Sequence, residues 1–270
     1  KTTTYNLLVF LISFDKGTIK LFGNKMTPTS YEIKQKIGVV PQDIAVFEEL
    51  TVYDNVDYFC GLYVADKKKR KLLIEEVISL VGLEEFKGFY PKQLSGGLKR
   101  RLNIACGIAH KPQLIFLDEP TVAVDPQSRN KILDSIKKLN QQGATIVYTT
   151  HYMEEVEILC DQIVIMDQGQ VIAKGTKEEL KDMVRSTENL VIDIPLLPDT
   201  AIEFIKSLPQ VLETAYDKER LTITAKKMKE ILLPVLSYLE DEHIAFTKIH
   251  TGEATLNDVF LEITGKELRD

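Results

Sequence analysis

The chain has 270 residues, with 34 Lys+Arg against 40 Asp+Glu and 44% hydrophobic residues. That length can bury one large or two modest cores, and the composition excludes a disordered or collagen-like chain. The longest uninterrupted apolar run, residues 7–12, is far short of the roughly 20 residues that cross a bilayer, and Lys1-Thr2-Thr3 does not open a secretory signal.

Cys60, Cys106 and Cys160 are far apart and odd in number, which argues against a disulfide framework or a zinc cluster. They read as small core residues in a reducing compartment. Charge is unevenly spread. Residues 1–182 hold 24 Lys+Arg and 24 Asp+Glu, whereas residues 183–270 carry the whole net charge of −6. A domain boundary is therefore expected near Val184, giving domains 1–182 and 183–270. A pI of about 5.4 makes nucleic acid a poor partner. The basic run Lys67-Lys-Lys-Arg-Lys71 reads as a solvated helix start, or else as a contact for anionic lipid headgroups.

In chain order, residues 3–13 predict a helix and 18–21 and 37–40 predict short strands. Residues 52–63, 72–83 and 98–109 predict helices. Residues 114–117 are a pure apolar run before Asp-Glu-Pro, the pattern of a fully buried strand. An amphipathic helix over 128–141 stops at Gly143, a strand follows at 144–148, and a helix at 152–159. Residues 162–166 and 170–173 predict a hairpin. Thr176 and Glu179 form a capping box for a helix through Met183. This is the order of an α/β fold with a parallel sheet. Beyond it the prediction is strand 190–194, helix 200–208, strands 211–215 and 221–224, helix 228–239 broken or kinked at Pro234, strand 246–249 and helix 256–263. That β-α-β-β-α-β order suggests a small α+β domain of ferredoxin-like type.

The candidate chemistry lies in short segments at strand ends and helix starts. Lys1-Thr2-Thr3 could be the end of a phosphate-binding loop, its Lys on phosphate oxygens and its hydroxyl on Mg²⁺. Leu94-Ser95-Gly96-Gly97 could present backbone amides to an anion at a helix N-terminus. Asp118 and Glu119 end a buried strand, where an open α/β sheet has its ligand crevice. Asp118 suits Mg²⁺ coordination and Glu119 suits polarising a water. Gln42 and His151 each follow a predicted strand and can reach the same crevice. His110, His243 and His250 have no such setting and read as structural.

In this order, the segments resemble the ATPase subunit of ATP-binding cassette (ABC) transporters. Lys1-Thr2-Thr3 is similar to the end of Walker A, Gln42 to the Q-loop, Leu94–Gly97 to the signature, and Leu114–Glu119 to Walker B with its catalytic carboxylate. Val124-Asp125-Pro126 is similar to the D-loop and His151 to the switch histidine. The tail 254–270 resembles that of bacterial cassettes of the drug- and antibiotic-export type. Ala123 stands where the D-loop region often has Gly, at some cost if the backbone there is left-handed. Leu98 stands where Gln or Met is usual.

The resemblance implies a P-loop NTPase-type core with a helical subdomain over about 48–105, and a C-terminal accessory domain. It implies an ATP hydrolase of bacterial exporters, using ATP and Mg²⁺, that pairs as a homodimer or with another cassette. A separate transmembrane permease would hold it, as a peripheral protein, on the cytoplasmic face of the membrane. Lys1, Thr2, Thr3, Gln42, Ser95, Gly96, Gly97 and Asp125 would bind nucleotide, Thr2, Gln42 and Asp118 would hold Mg²⁺, and Glu119 and His151 would be catalytic. It also implies that the glycine-rich loop, its strand and the adenine-stacking aromatic lie ahead of Lys1, so that residues 1–270 by themselves are expected to be inactive. Soluble ABC proteins of translation or repair are the alternative, as is a non-catalytic interaction fragment. A carboxylate placed at Gly97 would oppose the partner's γ-phosphate, and such a variant is expected to lose hydrolysis while the monomer still binds nucleotide.

Overall fold

The computed structural model describes residues 2–9, 11–184, 188–226, 228–252 and 255–264. By backbone contacts the chain divides into two units, 1–160 and 161–270. The division falls before the hairpin, not near residue 182 where the charge balance shifts. Charge reports surface composition, whereas the division follows packing: the hairpin and the helix after it are grouped with the C-terminal segments.

In the first unit, α1 (Thr2–Leu8) is shorter than predicted. The chain then turns, with Leu11 N–H and Ile12 N–H both donating to Asn6 O. A two-residue ladder follows between β1 (Lys20–Leu21) and β2 (Asn24–Lys25), then the short α2 (Tyr31–Lys34). The sheet consists of β3 (Ile37–Val40), β4 (Leu114–Asp118) and β5 (Thr145–Thr149), all parallel, with β4 in the middle. Every residue of β4 is buried, as a strand covered on both faces must be.

Three helices lie between β3 and β4: α3 (Val52–Gly61), α4 (Lys67–Val81) and α5 (Gly96–Ile108). Their apolar faces share one core with β4 and α6 (Pro126–Gln141), built on Val56, Ile74, Ile78, Leu102, Ile115, Leu117 and Ile132. α4 starts five residues earlier than its apolar period suggests, so the basic run forms its first turns. Cations oppose the helix dipole there. Asp66 offsets this by accepting from Lys68 and Lys69 N–H, and Arg70 pairs with Asp57 at 2.7 Å. α7 (Met153–Leu159) closes the unit.

Cys60 and Cys106 are buried and Cys160 is partly so, and none of the three is in a disulfide. No described helix is long and apolar enough to cross a membrane.

The second unit opens with the predicted hairpin, β6 (Ile163–Asp167) and β7 (Gln170–Gly175), around Gln168 and Gly169. Both turn residues have positive φ, as a two-residue turn that matches strand twist requires. α8 (Lys177–Val184) has its capping box: Thr176 Oγ1 accepts from Glu179 N–H and Glu179 Oε2 from Thr176 N–H. Then come β8 (Glu188–Asp193), α9 (Asp199–Ser207), β9 (Val211–Asp217), β10 (Arg220–Ala225), α10 (Met228–Asp241), β11 (Lys248–Gly252) and α11 (Leu256–Thr264). The strands form one antiparallel sheet in the order β11-β8-β10-β9, the arrangement of a ferredoxin-like fold. α10 runs unbroken through Pro234. That residue lies on the exposed side, while Ile231, Val235 and Leu239 are buried and hold the helix to the sheet.

The site depends on how α5 is held to β3. The two meet backbone to backbone at glycines. A Cβ on Gly107 would lie 2.7 Å from Val39 O, and one on Gly38 would lie 2.6 Å from Gly107 O. Neither oxygen can swing aside as a side chain could. Gly107→Ala is therefore expected to destabilise the protein by about 1–3 kcal/mol, the usual range for overpacking. Gly88→Ala, where a Cβ meets nothing within 4 Å, should stay within about 0.5 kcal/mol of the parent. Urea unfolding midpoints of the two variants check this; equal midpoints would contradict the close approach.

Candidate functional site

Parallel pairing sets the C-terminal ends of three strands side by side. Val40 pairs with Leu117, and Asp118 with Thr149. The residues that leave these strands, Gln42, Glu119 and His151, thus emerge at one end of the sheet. Asp118 is buried, and one carboxylate oxygen accepts from Thr149 Oγ1. Its other oxygen, Oδ2, is buried and meets no hydrogen-bond donor among the described residues. A buried carboxylate oxygen without a donor is costly unless a cation or proton meets it. Asp118 therefore fits a divalent cation that prefers oxygen ligands.

Glu119 turns back on itself at φ 47°. Its N–H donates to Thr149 O at 3.0 Å, which fixes the peptide against β5. Its carboxylate Oε2 lies 2.6 Å from His151 Nδ1, so the two candidate catalytic side chains touch. The loop stays strained: Ala123 has φ 57°, the left-handed backbone for which glycine would be cheaper.

Gln42 is exposed, and its backbone rather than its side chain is held. Arg100 Nη1 donates to Gln42 O and Asn103 Nδ2 to Pro41 O at 3.1 Å, while Asn103 Oδ1 accepts from Ala45 N–H at 2.9 Å. Arg100 and Asn103 are both buried, and burial pushes the Arg100 guanidinium below its usual range, against the opposing pull of Asp43. The loop that carries Gln42 is thus clamped by α5. The residue types alone did not single out these two side chains, although Arg100 lies in the same run as the glycines.

Ser95 caps α5, its Oγ accepting from Leu98 N–H at 3.3 Å. Asp125 caps α6, accepting from Ser128 N–H at 2.9 Å. That backbone hydrogen bond, with Ser128 Oγ adding to it, holds the Asp125 carboxyl below the usual carboxylate range. Lys1 lies outside the described residues, Thr2 opens α1, and Thr3 is exposed. Among the described residues, no hydrogen bond or ion pair joins Ser95–Gly97 to Glu119 or His151.

The backbone at Gly97 is packed closely against its own chain. A Cβ there would lie 2.6 Å from Ser128 Cβ and 2.7 Å from Asp125 Oδ2, so a side chain at Gly97 collides with its own α6 before any partner molecule is involved. At Gly96 a Cβ meets nothing within 4 Å.

The family model described as ABC transporter matches residues 1–122. The linearmycin resistance ATP-binding protein LnrL of Bacillus subtilis is 38% identical over the whole chain, which covers 88% of that protein. The chain belongs to the ATP-binding proteins of the ABC transporter family. The Nod factor export ATP-binding protein I of Burkholderia orbicola is 32% identical, with 100% and 86% of the two chains covered. A dimeric post-hydrolysis state of an ATP-binding cassette, bound to ADP and Pi, superposes with a TM-score of 0.59 at 28% identity, over 65% of this chain and 79% of that one. An ATP-binding subunit of an ABC transporter superposes with a TM-score of 0.62 at 24% identity over 68% and 77%, a likeness of fold.

In this ABC ATP-binding protein Gly96 and Gly97 have different surroundings, which thermal unfolding can separate. Gly97→Ala should lower Tm by several degrees, as overpacking of about 1–3 kcal/mol requires. Gly96→Ala should hold Tm or raise it slightly, since alanine restricts the unfolded chain and suits a helix start. A Gly97→Ala protein as stable as its parent would show that α5 and α6 can part there.

Proposed function

We propose that the chain is the ATP-hydrolysing subunit of a membrane exporter and that Asp118, Glu119 and His151 form the working end of its site. The observation that carries the reading is the direct Glu119–His151 contact beside a buried Asp118 with one oxygen unmet. Relatives matched along the whole chain are resistance and export ATP-binding proteins, which supports the exporter role.

In this reading Glu119 aligns a water with the γ-phosphorus and takes its proton, as the water oxygen bonds phosphorus and the bridging oxygen leaves with ADP. His151 holds the Glu119 carboxylate through Nδ1 and turns Nε2 toward the γ-phosphate. Lys1, Thr2 and Thr3 bind phosphate at the start of α1. Asp118, Thr2 and Gln42 hold Mg²⁺, which when bound neutralises charge on the β- and γ-phosphates. Ser95, Gly96 and Gly97 face the ATP of a second cassette, with the positive end of α5 toward its γ-phosphate and Asp125 close by. Catalysis of this kind is positioning and electrostatics, and few covalent demands fall on the protein.

The chain docks on a transmembrane permease at the cytoplasmic face of the membrane. The segment of about 48–105, which contains α3, α4 and most of α5, provides the docking region. The ferredoxin-like unit steadies or regulates the cassette pair.

Glu119→Gln in the full-length protein tests the catalytic assignment. The amide keeps the shape and cannot take the proton. We expect kcat to fall by about 100-fold or more, with ATP affinity retained. Hydrolysis near the parent rate would move the base elsewhere.

A further inference from the structure

The mechanism above does not use the most completely enclosed carboxylate of the first unit. Glu155, in the first turn of α7, is fully buried. Its two oxygens accept four hydrogen bonds. Oε1 takes Thr121 Oγ1 at 2.7 Å and Arg129 Nε at 2.8 Å; Oε2 takes Tyr148 OH at 2.7 Å and Thr150 Oγ1 at 3.0 Å. The four donors come from four different segments: the loop after Glu119, helix α6, strand β5 and the loop that carries His151.

Two of these contacts bracket the catalytic pair. Thr121 lies two residues after Glu119, in a loop that passes through left-handed backbone at both Glu119 and Ala123. Such a loop relaxes unless its surroundings fix it. Thr150 directly precedes His151, and its Oγ1 also accepts from Tyr152 N–H at 3.0 Å, which pins the peptide on either side of the histidine. Arg129 neutralises Glu155 and lies 5.0 Å from the Tyr152 ring centre, and that ring in turn packs 4.2 Å from the His151 ring. Burial and the neighbouring Glu155 charge push the Tyr148 phenol upward, so it stays a donor across the working pH range.

We propose that Glu155 is a positioning residue for hydrolysis, tying the Glu119 loop to the His151 loop so that the two catalytic side chains meet in one geometry. It touches neither nucleotide nor water. It acts through Thr121 and Thr150, and through Arg129 it makes the start of α6, next to Asp125, part of the same unit. This inference rests on the assignment of Glu119 and His151 above.

Thr121→Val and Thr150→Val in the full-length protein test it, because each removes one hydroxyl with little change of shape and leaves the Glu155–Arg129 pair intact. We expect kcat to fall about tenfold in each, with KM for ATP within about twofold of the parent and an unchanged circular dichroism spectrum, the scale on which misplaced groups lose positioning. Thr150→Ser, which keeps the hydroxyl, should recover most of the rate. Glu155→Gln should show the same split between kcat and KM. Glu119→Gln, run alongside, keeps the two ideas separable. If it abolishes turnover while both valine variants retain parental kcat, the positioning role is wrong and the catalytic assignment stands. If it retains turnover, the catalytic assignment fails first. A valine variant that loses kcat and ATP affinity in equal measure, or that the serine does not rescue, would also overturn the proposal, since either result marks general damage.

Discussion

Parallel pairing of β4 with its neighbours on both sides is the constraint from which the site follows. A one-residue slip against β5 would exchange the side chains on the two faces of the strand, and Asp118 would no longer lie opposite Thr149. The register is held by burial. Leu114, Ile115, Phe116 and Leu117 pack into two different apolar clusters on the two faces of the strand, so neither face can move to water. α5 then locks β3 through the glycine contacts, and Arg100 and Asn103 lock the loop beyond it. The polar chemistry is thus carried on a frame specified by apolar packing, which is why it can afford two left-handed non-glycine residues at Glu119 and Ala123.

Much of this was legible from residue order. The run before Asp118 could only be a buried strand, and glycines before an apolar-periodic segment marked the start of α5 within two residues. The charge pattern was a poorer guide. It located the acidic surface, and the compact units divide elsewhere. Pro234 misled for a related reason: local propensity argues for a break, but three buried side chains on the opposite face of α10 outweigh one lost backbone bond at an exposed position.

Glu155 shows what sequence reading could not reach. In sequence, Glu154-Glu155 is an acidic pair in the first turn of a helix, the ordinary complement to a helix dipole, and nothing separates the two. In the fold, Glu154 is exposed at the edge, with Arg129 3.7 Å away, whereas Glu155 is enclosed by donors from segments up to 34 residues distant. The same holds for Gly96 and Gly97. Both read as amides for an anion, yet one faces open space and the other is wedged against Ser128 and Asp125. Neighbours in sequence acquire different duties because helical geometry points them in different directions.

Four carboxylates gather in the polar part of the first unit, and each solves the problem of its charge differently. Asp125 is satisfied by the N-terminal amides of its own helix, Glu155 by a guanidinium and three hydroxyls, and Glu119 by the imidazole of His151. Asp118 has a single hydroxyl on one oxygen. Since a buried, unmet carboxylate oxygen is unfavourable, the fold leaves the strongest remaining demand for positive charge at one atom, Oδ2 of Asp118. In the proposed mechanism that atom, beside Glu119, is the one that meets a cation. In the proposed mechanism the tasks of holding the loops, polarising water and balancing phosphate charge thus fall to side chains that are close together but not interchangeable.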